Sequence, residues 1–151
     1  MAPRTLVLTL ALTLAISAAA LAAPLKGKTY KGTTPTTGRD SEHHKVKIVS
    51  HTVSLKVSSN GKKVSVRLSF GRPLLYCQTQ SEVHYQETTP AKISGSGGFR
   101  ATIAERFTKS VGGAPITQVI SGRFSGHTVK GTIRTTAEGE KFCEGTTTFS
   151  A

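Results

Sequence analysis

The sequence has no tryptophan, one methionine, two cysteines and only eight acidic residues among its 151 positions. Each shortage removes a class of function. With no Trp and 6% aromatics, there is no surplus of rings for the stacking platforms that single-strand nucleic-acid binders use. The rings present, Phe124 among them, read as core. Nucleic acid is therefore not the expected partner. Paired-carboxylate catalysis needs two acids in one cleft, one with a raised pKa, and only Glu82, Glu87 and Glu105 stand in places that allow it. A serine nucleophile needs a base and an orienting acid, but there is no G-x-S-x-G and the sole Asp, Asp40, sits in a Thr/His-rich loop. No catalytic set is expected, and no cofactor.

Long apolar runs are also missing, with one exception at the start. Arg4 precedes an apolar stretch from Leu6 to Ile16, and Ala20-Leu21-Ala22 supplies the small-x-small pattern that signal peptidase accepts. A membrane anchor is the competing reading. It needs about 20 apolar residues, a length this segment reaches only by counting its alanines. No cysteine follows to make a lipoprotein, and no second apolar run near the C-terminus suggests another anchor. The expectation is a signal peptide over residues 1–22 and a single secreted domain over residues 23–151. Such a domain is long enough for a core and short enough to profit from a covalent link. Its expected location is extracellular, with no membrane span in the mature form.

Cys77 and Cys143 are the whole cysteine complement. In an exported chain an even count implies a disulfide, and two residues allow one pairing. Closing a loop of this length would stabilise the fold by about 4 kcal/mol in the chain-entropy model. A two-cysteine metal site is the alternative, although neither Cys has a companion at zinc spacing.

Helical periodicity is absent after residue 22. Thr, Val and Ser alternate with Lys and Arg, a composition that suits half-buried strands. A first strand is expected over Lys28 to Thr34 with Tyr30 facing in, followed by a polar loop to about His44. Around Asn60-Gly61 the register that pairs Val57 with Val64, Leu55 with Val66 and Val53 with Leu68 puts all six on one face. Asn-Gly is a preferred two-residue loop because both positions favour φ > 0. A second hairpin at Gly126-His127 sets Phe124 opposite Val129, Gly122 opposite Gly131 and Ile120 opposite Ile133. Facing glycines on the apolar side call for a coiled sheet, or for a ring from elsewhere over the gap. A third turn at Gly95-Ser96-Gly97 brings Ile93 near Phe99, with Phe99, Ala101 and Ile103 inward. The last strand runs from about Phe142 to Ser150. Residues 71–91, bracketed by Pro73 and Pro90, are the least regular.

The fold class is all-β: an antiparallel meander of seven or eight strands. With no helix to cover a face, it must close as a β-barrel or stack as a β-sandwich. The chain resembles a group of short, secreted, β-rich proteins of unknown function found in actinobacteria. The matching residues are Tyr30-Lys31-Gly32-Thr33-Thr34, the Val53 to Phe70 hairpin, Cys77, Gly122-Arg123-Phe124-Ser125-Gly126, Val129-Lys130-Gly131-Thr132-Ile133 and Cys143. The resemblance implies an extracellular barrel or sandwich with a Cys77–Cys143 bridge, and it implies no activity.

Two clusters remain. Asp40, Glu42, His43, His44 and His51 have metal-ligand chemistry, but adjacent histidines in an extended chain point apart. The segment reads as a surface loop, and zinc or copper would suit it only if His43 and His51 converged with a carboxylate. The stronger feature is charge. The formal net charge is +12, and removing Arg4 with the leader leaves +11, an excess that favours polyanions. Arg123 faces Lys130 across the second hairpin, a like-charge pair that needs compensation. Arg123, Lys130, Arg134, Lys56 and Arg67 form the expected anion-binding set. The expected function is non-catalytic binding of an acidic envelope or extracellular polymer. One alternative is a small-ligand carrier using the barrel interior. The other is an enzyme inhibitor presenting Leu74-Leu75-Tyr76 or Gly112-Gly113-Ala114-Pro115.

Overall fold

The computed structural model describes residues 23–40, 42–47, 50–69, 86–106, 115–137 and 144–151. For residues 69, 86–88, 105–106, 115–116 and 137 it describes the backbone alone. The strands are β1 (Thr29–Thr33), β2 (Thr37–Asp40), β3 (Lys45–Lys47), β4 (Thr52–Val57), β5 (Lys63–Ser69), β6 (Gln86–Lys92), β7 (Gly98–Arg106), β8 (Pro115–Ser125), β9 (Thr128–Ala137) and β10 (Gly145–Ser150). Among the described residues there is no helix.

The main sheet runs β6-β5-β4-β1-β10-β9-β8-β7, every pair antiparallel. The β2–β3 hairpin is a detour. Without it, the chain visits the eight strands in spatial order, an up-and-down meander. The two end strands, β6 and β7, meet at their shared turn through the Ile93–Phe99 bridge and the Thr89 Oγ1 to Thr102 carbonyl hydrogen bond of 3.3 Å. The sheet is therefore nearly closed into a barrel, which separates it from a two-sheet sandwich.

Alternation explains the closure. Tyr30, Val53, Leu55, Val57, Val64, Val66, Leu68, Phe99, Ala101, Ile103, Ile120, Phe124, Val129, Ile133 and Phe149 all lie on the inner face and are buried. Their neighbours in sequence are Ser, Thr, Lys, Arg or Gly almost throughout, so each strand is half apolar and half wet. A curved sheet hides one face without a helix. Each fully buried Val, Leu, Ile or Phe contributes about 1.5–3 kcal/mol by leaving water, so a register slip of one residue on any strand would forfeit several such terms.

The predicted hairpin registers are present. Val57 faces Val64, Leu55 faces Val66 and Val53 faces Leu68. Phe124 faces Val129, Gly122 faces Gly131 and Ile120 faces Ile133. The Gly122–Gly131 pair is covered by rings from neighbouring strands. A Cβ on Gly122 would stand 2.8 Å from the Phe99 ring, and one on Gly131 would stand 2.6 Å from the Phe149 ring and collide with the Ser121 carbonyl oxygen.

Three details differ from expectation. The Asn60 turn has a positive φ at Gly61 alone (74°), and the Gly61 N–H donates to the Ser58 carbonyl. Asn60 instead uses its side chain, whose Oδ1 accepts from Ser58 Oγ and from the Lys62 N–H. The stretch expected as a loop to His44 contains the β2–β3 hairpin. Asp40 Oδ1 accepts from the N–H groups of Glu42 and His44, His43 takes φ 67°, and β2 adds to β10 through Thr146–Arg39 and Gly145–Asp40. Finally, Pro90 lies inside β6, opposite Ser65, although it read as the end of an irregular stretch. The Ile93 N–H donates to the carbonyl of Lys62, the residue before β5. Because N–H directions alternate, the missing N–H of Pro90 falls on the open seam, where no ladder bond is lost. The expectations for residues 1–22, Cys77, Phe142 and Cys143 lie outside the described residues.

Gly131→Ala is expected to cost about 2–3 kcal/mol, because the backbone oxygen of Ser121 cannot move aside without breaking the β8–β9 ladder. Gly95→Ala, which meets nothing within 4 Å, should stay within about 0.5 kcal/mol of the parent. Urea unfolding of both variants checks the contrast.

Candidate functional site

The barrel has two chemically different ends. At one end the connections are short: the turns at 58–62, 93–97 and 125–128, with the segment that leads from Pro24 into β1 and the C-terminal Ala151 beside them. This end is plugged. The Tyr30 hydroxyl donates to the Gly126 carbonyl at 2.6 Å and accepts from the Leu25 N–H at 2.9 Å. The Gly27 N–H donates to the Ser58 carbonyl, and Val129 and Ala151 exchange two backbone bonds of 2.7 and 2.9 Å. Inside, Phe124 packs against Tyr30 at 5.1 Å and Phe99 at 5.3 Å between ring centroids.

The outside of this plugged end is cationic. Arg123 stands opposite Lys130, as the sequence register required, and Lys63 stands opposite Lys92. All four are exposed. Lys28 Nζ lies 3.3 Å from His127 Nδ1 and 5.1 Å from the centroid of the Tyr30 ring, which holds an ammonium over a π face. Lys26 and Lys62 flank them. The sequence holds no Asp or Glu in 23–39, 43–81, 88–104, 106–137 or 145–151, so no acid among the described residues stands at this end. Among the described residues no Lys or Arg pairs with a carboxylate; the ion pairs are those of His44 with Asp40 (3.4 Å) and Glu42 (3.5 Å) in the β2–β3 turn.

The five expected anion-binding residues are all exposed, but they do not form one face. Arg123, Lys130 and Arg134 share the outer surface of β8 and β9, while Lys56 and Arg67 share that of β4 and β5. These walls are four strands apart in either direction round the barrel. The Lys63–Lys92 pair was missed because Pro90 argued against a strand there. The Lys28–His127 contact joins residues 99 apart in the chain, and no local pattern signals it.

The other end carries the longer connections, and the interior changes with it. On β8 the inward series Phe124, Ile120 ends in Gln118; on β9 Val129, Ile133 ends in Thr135; on β10 Phe149 is followed by Thr147. Likewise Tyr30 leads to Thr34, and His51 precedes Val53. Gln118, Thr135, Thr147, Thr34 and His51 are the buried polar side chains among the described residues. The Thr34 and His51 backbones are joined by a 2.9 Å bond, and the His51 N–H also donates to Thr34 Oγ1 at 2.9 Å. Thr147 Oγ1 donates to the Thr37 carbonyl at 3.4 Å. His51 is only 1% exposed, and desolvation lowers its pKa from 6.5 to about 4. Its imidazole is therefore neutral at pH 7.

His51 does not join His43 and His44, which stay exposed in the β2–β3 turn; among the described residues no group of three metal-ligating side chains is assembled. Glu82, Cys77, Cys143 and both inhibitor segments up to Ala114 lie outside the described residues. Glu87 opposes Leu68 and Glu105 opposes Ile116 in their ladders. No family model, no curated protein and no solved structure matches the chain.

The His51 burial has a pH consequence. A folded-state pKa below the unfolded value means that the unfolded chain binds more protons between pH 6.5 and 4, so stability falls as pH drops through that window and levels off below it. The loss should be on the order of 2–3 kcal/mol. Urea unfolding at pH 7.5, 5.5 and 4 measures it, and His51→Leu should flatten the profile over the same interval.

Proposed function

We propose that the protein is an exported, non-catalytic domain that binds an acidic polymer of the cell envelope or its surroundings through the plugged, cationic end of the barrel. The observation that carries this reading is the double like-charge arrangement there. Arg123–Lys130 and Lys63–Lys92 are directly opposed cation pairs with no carboxylate nearby among the described residues. Each costs some stability, and a sheet under no other demand would place one acid in each pair. A polyanion laid across the turns supplies the missing negative charge to both. The signal-peptide pattern of residues 1–22, with Arg4 ahead of the Leu6 to Ile16 apolar stretch, supports the location.

Binding of this kind releases counterions and weakens steeply with salt. Arg134 and Arg67, farther along the walls, then act as an encircling field that speeds encounter, while the turn-end cations, Lys56 on β4 among them, make contact. The plug from Tyr30 to Gly126 matters because a rigid end fixes the spacing of those cations.

The test compares variants of equal charge change on dextran sulfate and on purified cell wall. Lys92→Glu with Lys130→Glu should weaken binding at least about tenfold, with Tm unchanged or slightly higher because each creates an opposite-charge pair. Arg67→Glu with Arg134→Glu should weaken it by no more than about threefold. Equal losses from the two doubles, or retention indifferent to ionic strength between low and about 0.5 M salt, would overturn the assignment.

A further inference from the structure

Seven of the eight strands in the main sheet each carry one exposed cation at the same height, close to the turn end. Lys56 on β4 opposes Ser65 and so stands diagonal to Lys63 on β5, which opposes Lys92 on β6. One step along from the Ile93–Phe99 bridge, the antiparallel register puts Lys92 opposite Arg100 on β7, and the line crosses the seam. Arg100 opposes Ser121 and stands diagonal to Arg123 on β8, which opposes Lys130 on β9. In the other direction Lys31 on β1 opposes Ser54 and stands diagonal to Lys56. The diagonal steps all shift in the same sense, as strand tilt in a barrel requires of a level ring. β10 alone interrupts it, with Ser150 opposite Lys130.

We infer, on the strength of the polyanion reading above, that this girdle is wrapped by a flexible polyol-phosphate chain with one phosphate to each cation. Direct cross-strand positions are about 5 Å apart and diagonal ones about 7–8 Å, roughly the reach of one polyol-phosphate repeat. An extended acidic peptide advances only about 3.5 Å per residue and leaves many of its charges unmatched. The path is convex and runs most of the way round a barrel narrow enough to be filled by its own side chains. A duplex with a persistence length of about 50 nm cannot follow it, whereas a chain of single bonds can. The next outward row offers the hydroxyls of Ser65, Ser121 and Thr132, which suit polyol hydroxyls as donor or acceptor. Tyr30, Phe99, Phe124 and Phe149, the aromatic residues described, are all buried on the inner face, so nucleic-acid bases find no ring to stack on.

A ladder of glycerol-phosphate oligomers, titrated calorimetrically at low salt, tests the path. Affinity should rise with length and level off at about seven repeats, one per cation. Arg100→Gln, at the seam, should weaken the longest oligomer at least about fivefold, and Arg134→Gln, off the girdle, by less than about twofold. Ser150→Lys should tighten binding at least about fivefold by filling the gap on β10, while Thr146→Lys on the same strand changes it by less than about twofold. All four positions are exposed, so each variant should fold and melt as the parent does. Affinity that climbs without a plateau, or equal effects within either pair of variants, would overturn the proposal. So would equal binding of polyglutamate or oligothymidylate of matched charge. If Lys92→Glu with Lys130→Glu still releases the protein from dextran sulfate, only the polymer class and its path fall. If that contrast is lost as well, the cationic end falls with them.

Discussion

Phe124 holds the barrel together across its interior. Its ring touches Tyr30, whose strand lies three places away round the sheet, and Phe99 on the adjacent strand. For those rings to fit, Gly122 and Gly131 must leave the inner face of β8 and β9 bare, and Phe99 and Phe149 lie over the gap. Tyr30 then has its hydroxyl at the rim, where it fastens the segment before β1 to the β8–β9 turn. Closure, the plug and the spacing of the surface cations all follow from where these rings sit. The sheet has no helix to lean on among its described residues, so its own curvature must bury its apolar face.

Much of this was legible from alternation and turn chemistry. The Val53–Leu68 and Phe124–Val129 registers follow from residues within twenty positions of one another, and a period of two leaves little freedom once one face must be dry. The facing glycines were also informative, since their neighbours demanded something large above them. What stayed hidden depends on long-range geometry. Pro90 argues against a strand unless the N–H it lacks faces a seam, and the seam exists only after β6 and β7 become the two ends of the sheet. The β2–β3 hairpin rests on a carboxylate cap from Asp40 and on β10, which lies a hundred residues away in the chain. The division of the five basic residues between opposite walls required the strand order. The inward polar residues looked like outward ones, because Thr and Gln on a strand give no sign of which side is wet.

The two ends of the barrel divide the chemistry. Acidic residues are confined to positions 40–42, 82–87, 105 and 138–144, so the turn end keeps its positive charge undiluted. Electrostatics there is a surface matter, screened by salt and tuned by spacing. At the loop end the buried polar side chains among the described residues, Thr34, His51, Gln118, Thr135 and Thr147, are uncharged. His51 belongs to that end and is kept neutral by burial, so acid would reach it only by loosening the barrel.

The central claim is that the cations of the turn end, and not net charge alone, engage the polyanion. The most direct measurement is a residue-resolved footprint: 15N NMR of the protein titrated with a short sulfated dextran at low salt. The account predicts perturbations at Lys28, Lys56, Lys62, Lys63, Lys92, Arg123, His127 and Lys130, with Lys45, Lys47, Arg67 and Arg134 little changed. Perturbations of similar size around the whole outer wall, or centred on Lys45 and Lys47, would contradict it.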